Sequence, residues 1–404
     1  MKRSVFIPVA SDFLGEKELE NIIASNSEKL NNYCEKRIGK TDILKTEKVY
    51  YFIVTGGTEA QVLDLQKIRD EKFENEEIVL LAYESNNSLA ASMELLARFN
   101  QIGKKGRIIY LPATEKSKSQ TANIQKVNGK GQLAGNRIGE IGSPSDWLVA
   151  SSPSAKTVKE NWGADVIPVK MTELKQLFSE ITDDNCQKNF NELTANSQEI
   201  VEPTNKDILN NIKVYLAMKK LILKYDLDAV TLRCFDLVLD LGTTGCFALS
   251  RLNDEGIIAG CEGDMVSTLG MLLVYKKTGR IPWMANPSRL DLENNSILIA
   301  HCTVPISLVD NYIIRSHFES GIGVGIQGTF PRGDVTIFRI GGNNLDKIWL
   351  ATGEIVSTSK EEDLCRTQIE VKLNSKDNVA DLLTNPLGNH LIIVPGIFEE
   401  MPIV

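Results

Sequence analysis

Glu262 closes an apolar run, Ile257–Cys261, and is followed directly by Gly263 and Asp264. A carboxylate delivered to the end of a buried strand is costly unless it is paired or bound to a metal. Metal binding is one reading of Glu262; a buried salt bridge is the other. Asp264 stands where a helix begins, with Lys276 and Lys277 in its last turn and Gly279 at its stop. N-capping explains such an aspartate, and a catalytic role is the alternative. Histidine is scarce, with His301, His317 and His390 only. His301 ends the strand-like run Ser296–Ala300, and His390 opens Leu391–Pro395 after Pro386-Leu-Gly-Asn389. At a strand end an imidazole can reach a cleft as a ligand, or serve as a hydrogen-bonded structural group. His317, in Arg315-Ser-His-Phe-Glu319, reads as a surface helix or turn residue without a role.

The elements that must position these groups follow from periodicity. Over the first 150 residues short β-branched runs (Ser4–Ala10, Val49–Val54, Ile78–Tyr83, Arg107–Leu111) alternate with the helical patterns Glu59–Asp70 and Ser88–Ile102. That alternation predicts βαβ units and a parallel sheet. The Gly56-Gly57-Thr58 turn then lies at the C-terminal end of a strand, the edge where ligands bind in open α/β sheets, unless it is a plain tight turn. A second such region has strands at Asp146–Ser151, Ala164–Val169 and Ala229–Phe235, and helices at Thr172–Ile181 and Asp207–Lys224. The polar stretch Asp183–Pro203 reads as loop or irregular helix, and Trp283–Arg289, flanked and interrupted by Pro282 and Pro287, as a stiff loop. From about residue 286 strands and glycine-rich turns dominate. Gly323-Val-Gly-Ile-Gln-Gly328 matches a dinucleotide fingerprint formally, but the Pro331 and Gly333 that follow deny the helix such a fingerprint requires. The expected fold is α/β: two consecutive α/β domains with parallel sheets (1–145 and 146–285) and a mostly β, barrel-like C-terminal domain (286–404).

Composition narrows the function class. The chain has 404 residues, 42 % hydrophobic and 24 % charged, with a net charge of −8. It has no basic footprint for nucleic acid and no apolar stretch long enough to span a membrane. The Lys104–Lys105 and Lys116–Lys118 clusters read as solvated loops. The apolar run of the N-terminus stops at Ser11–Asp12 and contains Pro8, so a cytoplasmic location is expected. Seven cysteines, without a C-x-x-C pair, point to reduced thiols rather than a disulfide framework or a zinc site.

Taken in order, Cys261-Glu-Gly-Asp264, Trp283-Met-Ala-Asn-Pro-Ser-Arg289, Ala300-His-Cys-Thr-Val-Pro305, Cys365-Arg-Thr-Gln-Ile369 and Gly388-Asn-His390 resemble the L-fucose/L-arabinose isomerase superfamily. The likeness is closest to the shorter L-fucose isomerase-like proteins and covers residues about 229–400. It implies two α/β domains followed by a β-barrel domain. It also implies aldose–ketose isomerisation of a sugar with a divalent metal, usually manganese, in hexamers whose sites form between subunits. By position, Glu262 matches the metal-binding acid/base glutamate, His390 a metal ligand and His301 a site histidine. Asn286 stands where L-fucose isomerase has an aspartate; its carbonyl oxygen can ligate but takes no proton, which leaves Asp264 or a water as Glu262's helper. Arg289 and Arg366 could hold a phosphate or sulfonate on the sugar, or form structural ion pairs. Moving a proton between C1 and C2 through an ene-diol requires a carboxylate base and stabilisation of the developing oxyanion. The alternative is a catalytically degenerate sugar-binding or regulatory protein on the same scaffold.

Overall fold

The computed structural model of the chain describes residues 4–12, 14–113 and 124–398, so the Lys116–Lys118 cluster lies outside the described residues. The first sheet has five parallel strands in the order Cys34–Arg37, Ser4–Val9, Val49–Ile53, Ile78–Ala82, Gly106–Tyr110. Ile78–Ala82 is buried at every position, as expected of a parallel strand covered on both faces. The helix Ser88–Gln101 touches both the strand Gly106–Tyr110 and the later strand Trp283–Asp291. It is therefore buried almost all round, and it carries the buried Glu94 into the interior.

The second sheet is also parallel, in the order Ile258–Gly260, Ala229–Leu232, Arg137–Ile141, Asp165–Val169. Its strand Arg137–Ile141 begins ahead of the expected boundary at 146. Asp146–Ser151 is turn, not strand. The backbone N–H groups of Ala150 and Ser151 donate to the Glu94 carboxylate, and that of Ser145 donates to the Glu262 carbonyl. These donors are thereby withdrawn from any ladder. Asp183–Asn196, within the stretch expected as loop or irregular helix, is a regular helix opened by a Thr182–Asn185 capping box. Its buried Cys186 and Leu193 lie seven residues apart on one face, too sparse a stripe to register as periodicity.

The C-terminal part is a closed antiparallel barrel. Gly333–Gly341, Leu391–Pro395, Trp283–Asp291, Ser296–His301, Thr367–Leu373 and Lys347–Ser359 follow in that order, and the last pairs with the first. Ile124–Lys126 adds to it through Lys347–Trp349. Trp283–Arg289 is thus a barrel strand rather than a loop. Trp283–Ala285 pair with Leu391–Ile393, and Asn286 pairs with Ala300. Pro287 is tolerated because the register shifts between it and Arg289. The glycine-rich 323–328 segment leads into one strand of the hairpin Asn311–Arg315/Gly325–Thr329, and no helix follows it. Among the described residues no helix is long and apolar enough to cross a membrane.

Candidate metal and catalytic site

The three parts of the fold meet at Glu262. The strand Ile258–Gly260, at the edge of the second sheet, ends just before it, and the chain turns sharply at Glu262 and Gly263, both in the left-handed region with φ of 62° and 78°. A non-glycine residue there is uncommon and marks a site that its surroundings over-determine. Gly263 has no substitute: a Cβ would sit 2.7 Å from Pro144 Cα, against backbone that cannot give way. Gly263→Ala should lower unfolding free energy by about 2–4 kcal/mol. Urea denaturation checks this, and a loss below about 0.5 kcal/mol, the range of neutral surface changes, would contradict it.

The barrel brings His301 and His390 to the same point, each from the end of a strand. One ligand atom each of Glu262, His301 and His390 lies within 4.8 Å of the others. Nε2 of His390 is 3.5 Å from Glu262 Oε1, and the two imidazole centroids are 5.5 Å apart. Trp147, on the turn that displaced the expected strand, donates its Nε1–H to Glu262 Oε2 at 2.6 Å. Both histidines use Nδ1 elsewhere. His301 Nδ1 lies 2.7 Å from Thr303 Oγ1, and His390 Nδ1 lies 2.9 Å from Asp264 Oδ2. The buried His390 Nε2 makes no hydrogen bond, and neither does the buried Asn286 Oδ1. A carboxylate, two imidazoles held through their outer nitrogens and an orphaned amide oxygen fit a divalent cation.

Asp264 faces away from this centre, is fully buried, and joins three groups. It caps the helix Met265–Thr278 through Ser267 N–H at 2.7 Å, pairs with Arg339 at 3.0 Å and holds His390. Arg339 also contacts the hydroxyls of Ser267 and Ser151. Ser151 in turn donates to Glu94, which also accepts the Asn389 N–H beside His390. One buried network therefore ties the N-terminal helix, the central helix start and the barrel to the His390 ring.

The network sets the protonation states. Burial alone would raise Glu262, but the His390 charge and the Trp147 hydrogen bond hold it below the ordinary carboxylate value. Burial alone would lower His390, but Glu262 and Asp264 on either side push it up to about 9. Burial, with the neighbouring His390, pushes His301 down to about 3. Without metal the centre thus holds one ionised carboxylate, one imidazolium and one neutral imidazole.

Glu262, Asn286 and His301 line a small cavity. Asn87 of the N-terminal part lines it too, hydrogen-bonded at 2.8 Å to Glu319, another lining residue. Gly56 of the expected ligand-facing turn abuts Asn87, and Gly57 abuts Trp147. The chain's own N-terminal domain thus borders the cavity. Arg289 and Arg366 are not among the lining residues. Arg289 pairs with Glu361 and Glu84; Arg366 bonds the Ser316 carbonyl and Glu362. His317, given no role above, is buried and lines the cavity, its ring edge-on to Phe235. Trp147, Glu94 and Arg339 carried no signal in the sequence, because each reaches the site only through tertiary packing.

No model of a known protein family matches the chain. The curated proteins similar to it include the following three. The sulfoquinovose isomerase of Priestia aryabhattai is 23 % identical over 274 residues, 65 % of this chain and 60 % of that protein. That of Alkalicoccus urumqiensis is 23 % identical over 218 residues, 52 % of this chain and 48 % of that protein. That of Clostridium sp. (strain MSTE9) is 26 % identical over 188 residues, 45 % of this chain and 42 % of that protein. The match spans 60 % or less of the length of these relatives.

Proposed function

We propose that this chain is a metal-dependent aldose–ketose isomerase acting on a monosaccharide, with manganese as the ion and a homo-oligomer, a hexamer, as the working assembly. The observation that carries the reading is the convergence of Glu262, His301 and His390 on one point beside a cavity. The similar sulfoquinovose isomerases support a sugar as substrate, and the ordered motifs support the isomerase chemistry. Glu262, His301, His390 and the Asn286 carbonyl would hold the ion, which would supply Lewis acidity to the bound sugar.

The protein's own groups do the rest. Glu262 is ionised at neutral pH and so can take the proton from the carbon beside the carbonyl and return it to the adjacent carbon, through an ene-diol. The Trp147 N–H fixes one carboxylate oxygen during both transfers. Asp264 keeps the His390 ring oriented, and the buried walls limit water at the reacting carbons.

The test is a panel of neutral and anionic aldoses, sulfoquinovose included, incubated with the protein and manganese and followed for ketose by NMR. Ketose from any sugar supports the reading. Bound manganese and bound sugar without ketose would favour the second reading, a non-catalytic sugar-binding protein, for which Asn286 in place of a carboxylate speaks. Failure to bind any divalent metal would overturn both the ligand set and the mechanism.

Asn286 offers a graded check. Its buried Oδ1 is neutral and unpartnered, so Asn286→Asp adds a negative charge where the cation would sit. Manganese binding should tighten by about tenfold or more, since charge count tunes such sites, and an anionic sugar should lose ground to a neutral one. Equal affinity in calorimetric titration would place Asn286 outside the ligand set.

A further inference from the structure

We infer that Cys234 and Cys261 are an oxidisable pair whose closure to a disulfide displaces Glu262. All seven cysteines are free and buried, and five of them, Cys234, Cys246, Cys261, Cys302 and Cys365, line the cavity that Glu262 faces. The proposed isomerisation uses none of these thiols. Cys234 and Cys261 follow the adjacent parallel strands Ala229–Leu232 and Ile258–Gly260, which pair Thr231 with Gly260. Their Sγ atoms are 3.3 Å apart, so a bond of about 2.05 Å requires an approach of little more than 1 Å.

Any pull that closure puts on the Cys261 backbone meets little slack. Cys261 N–H points at Met284 Sδ at 3.1 Å, and its carbonyl accepts Asp264 N–H at 2.9 Å. The Cys234 carbonyl accepts Leu237 N–H at 3.0 Å in the first turn of the following helix. The residue next to Cys261 is Glu262, already in the left-handed region at φ 62°. A shift of Cys261 is therefore passed to Glu262 and to its contacts with Trp147 and His390.

The oxidant is hydrogen peroxide, small enough to enter the cavity the two sulfurs line. One sulfur, giving up its proton as it reacts, attacks a peroxide oxygen; the O–O bond breaks, leaving a sulfenic acid and a hydroxide that takes up that proton as water. The second sulfur then attacks the first, the S–S bond forms, and the sulfenic oxygen departs as a second water. Two thiols give up two electrons and two protons, and one peroxide becomes two waters. A dithiol reductant reverses the reaction.

The full chain is treated with hydrogen peroxide, denatured, alkylated and mapped by mass spectrometry. The expected result is a Cys234–Cys261 disulfide that removes two of the seven free thiols, is absent from Cys234→Ser and Cys261→Ser, persists in Cys186→Ser and is reversed by dithiothreitol. Seven thiols surviving, a link between other cysteines, or irreversible sulfinate alone would overturn the pairing, and the wild-type map decides this even where a variant fails to fold. Manganese titration of the oxidised chain tests the coupling, which rests on the metal reading above: affinity should fall at least about tenfold, the scale of losing an orienting contact, and return on reduction. A disulfide that forms with manganese affinity unchanged would overturn the displacement of Glu262. A disulfide in a chain that turns over no sugar would count against the isomerase reading alone.

Discussion

Glu262→Gln should lower turnover about 10²–10⁴-fold, the usual contribution of a positioned general base, with far less effect on the fold or on metal binding. Glutamine is nearly isosteric and keeps one oxygen, which can accept the Trp147 N–H now held at 2.6 Å or turn to a cation. What it lacks is the capacity to take a proton. The environment makes the difference sharp: the carboxylate is held below its ordinary value by the His390 charge and the Trp147 hydrogen bond, despite burial. It is therefore ionised at neutral pH, whereas Glu319, the other carboxylate lining the cavity, is pushed up by burial and held by Asn87. Asp264 is turned away and engaged with Arg339, His390 and the helix start. Steady-state rates on the best sugar of the panel, measured beside manganese titrations, separate the two roles. Near-normal turnover would remove Glu262 as the base. Turnover and metal affinity falling in equal measure would make it a ligand only.

The residues that carry backbone-encoded signals were legible in the sequence. Glu262 interrupts an apolar run, and His301 and His390 sit where strand periodicity begins or ends, so their positions follow from local pattern. The alternating elements of both parallel sheets and the strand-rich C-terminal part follow from the same logic. What stayed hidden depends on long-range packing. Trp147 lies in a stretch whose apolar residues mimic a strand; only the demand of Glu94 and Glu262 for backbone donors makes it a turn. His317 reads as a surface residue because the hairpin that folds it inward has no local mark. Five cysteines scattered between 234 and 365 become one cavity wall only when the barrel docks on the central sheet. Pro282 and Pro287 suggested a loop, but a proline at a register shift costs a barrel strand little.

Asp264→Ala should destabilise the protein by about 3–5 kcal/mol, the cost of leaving one partner of a buried ion pair alone. Arg339 has a side chain 1 % exposed, so its charge would have no solvent to turn to. The helix Met265–Thr278 would also lose its cap, and His390 its outer partner. Asp264→Asn isolates the charge from the cap, because its amide oxygen can still accept Ser267 N–H. The pH dependence then tells them apart. Arg339 and His390 hold the buried Asp264 carboxyl well below its ordinary value of 3.8. Its stabilisation is therefore present above that value and lost as pH falls further. His390 is shifted the other way, from 6.5 to about 9, by Glu262 and Asp264 against the effect of burial. Its contribution in the metal-free protein is complete below 6.5 and disappears as pH climbs through 9. Removing the Asp264 charge removes one of the two carboxylates that raise His390, so the alkaline decline should be shallower in Asp264→Asn than in wild type. Urea unfolding of both proteins in chelator, from pH 5.5 to 9.5, measures the two slopes. Identical slopes would mean that Asp264 does not sustain the His390 charge, and its link to the metal centre would reduce to capping a helix.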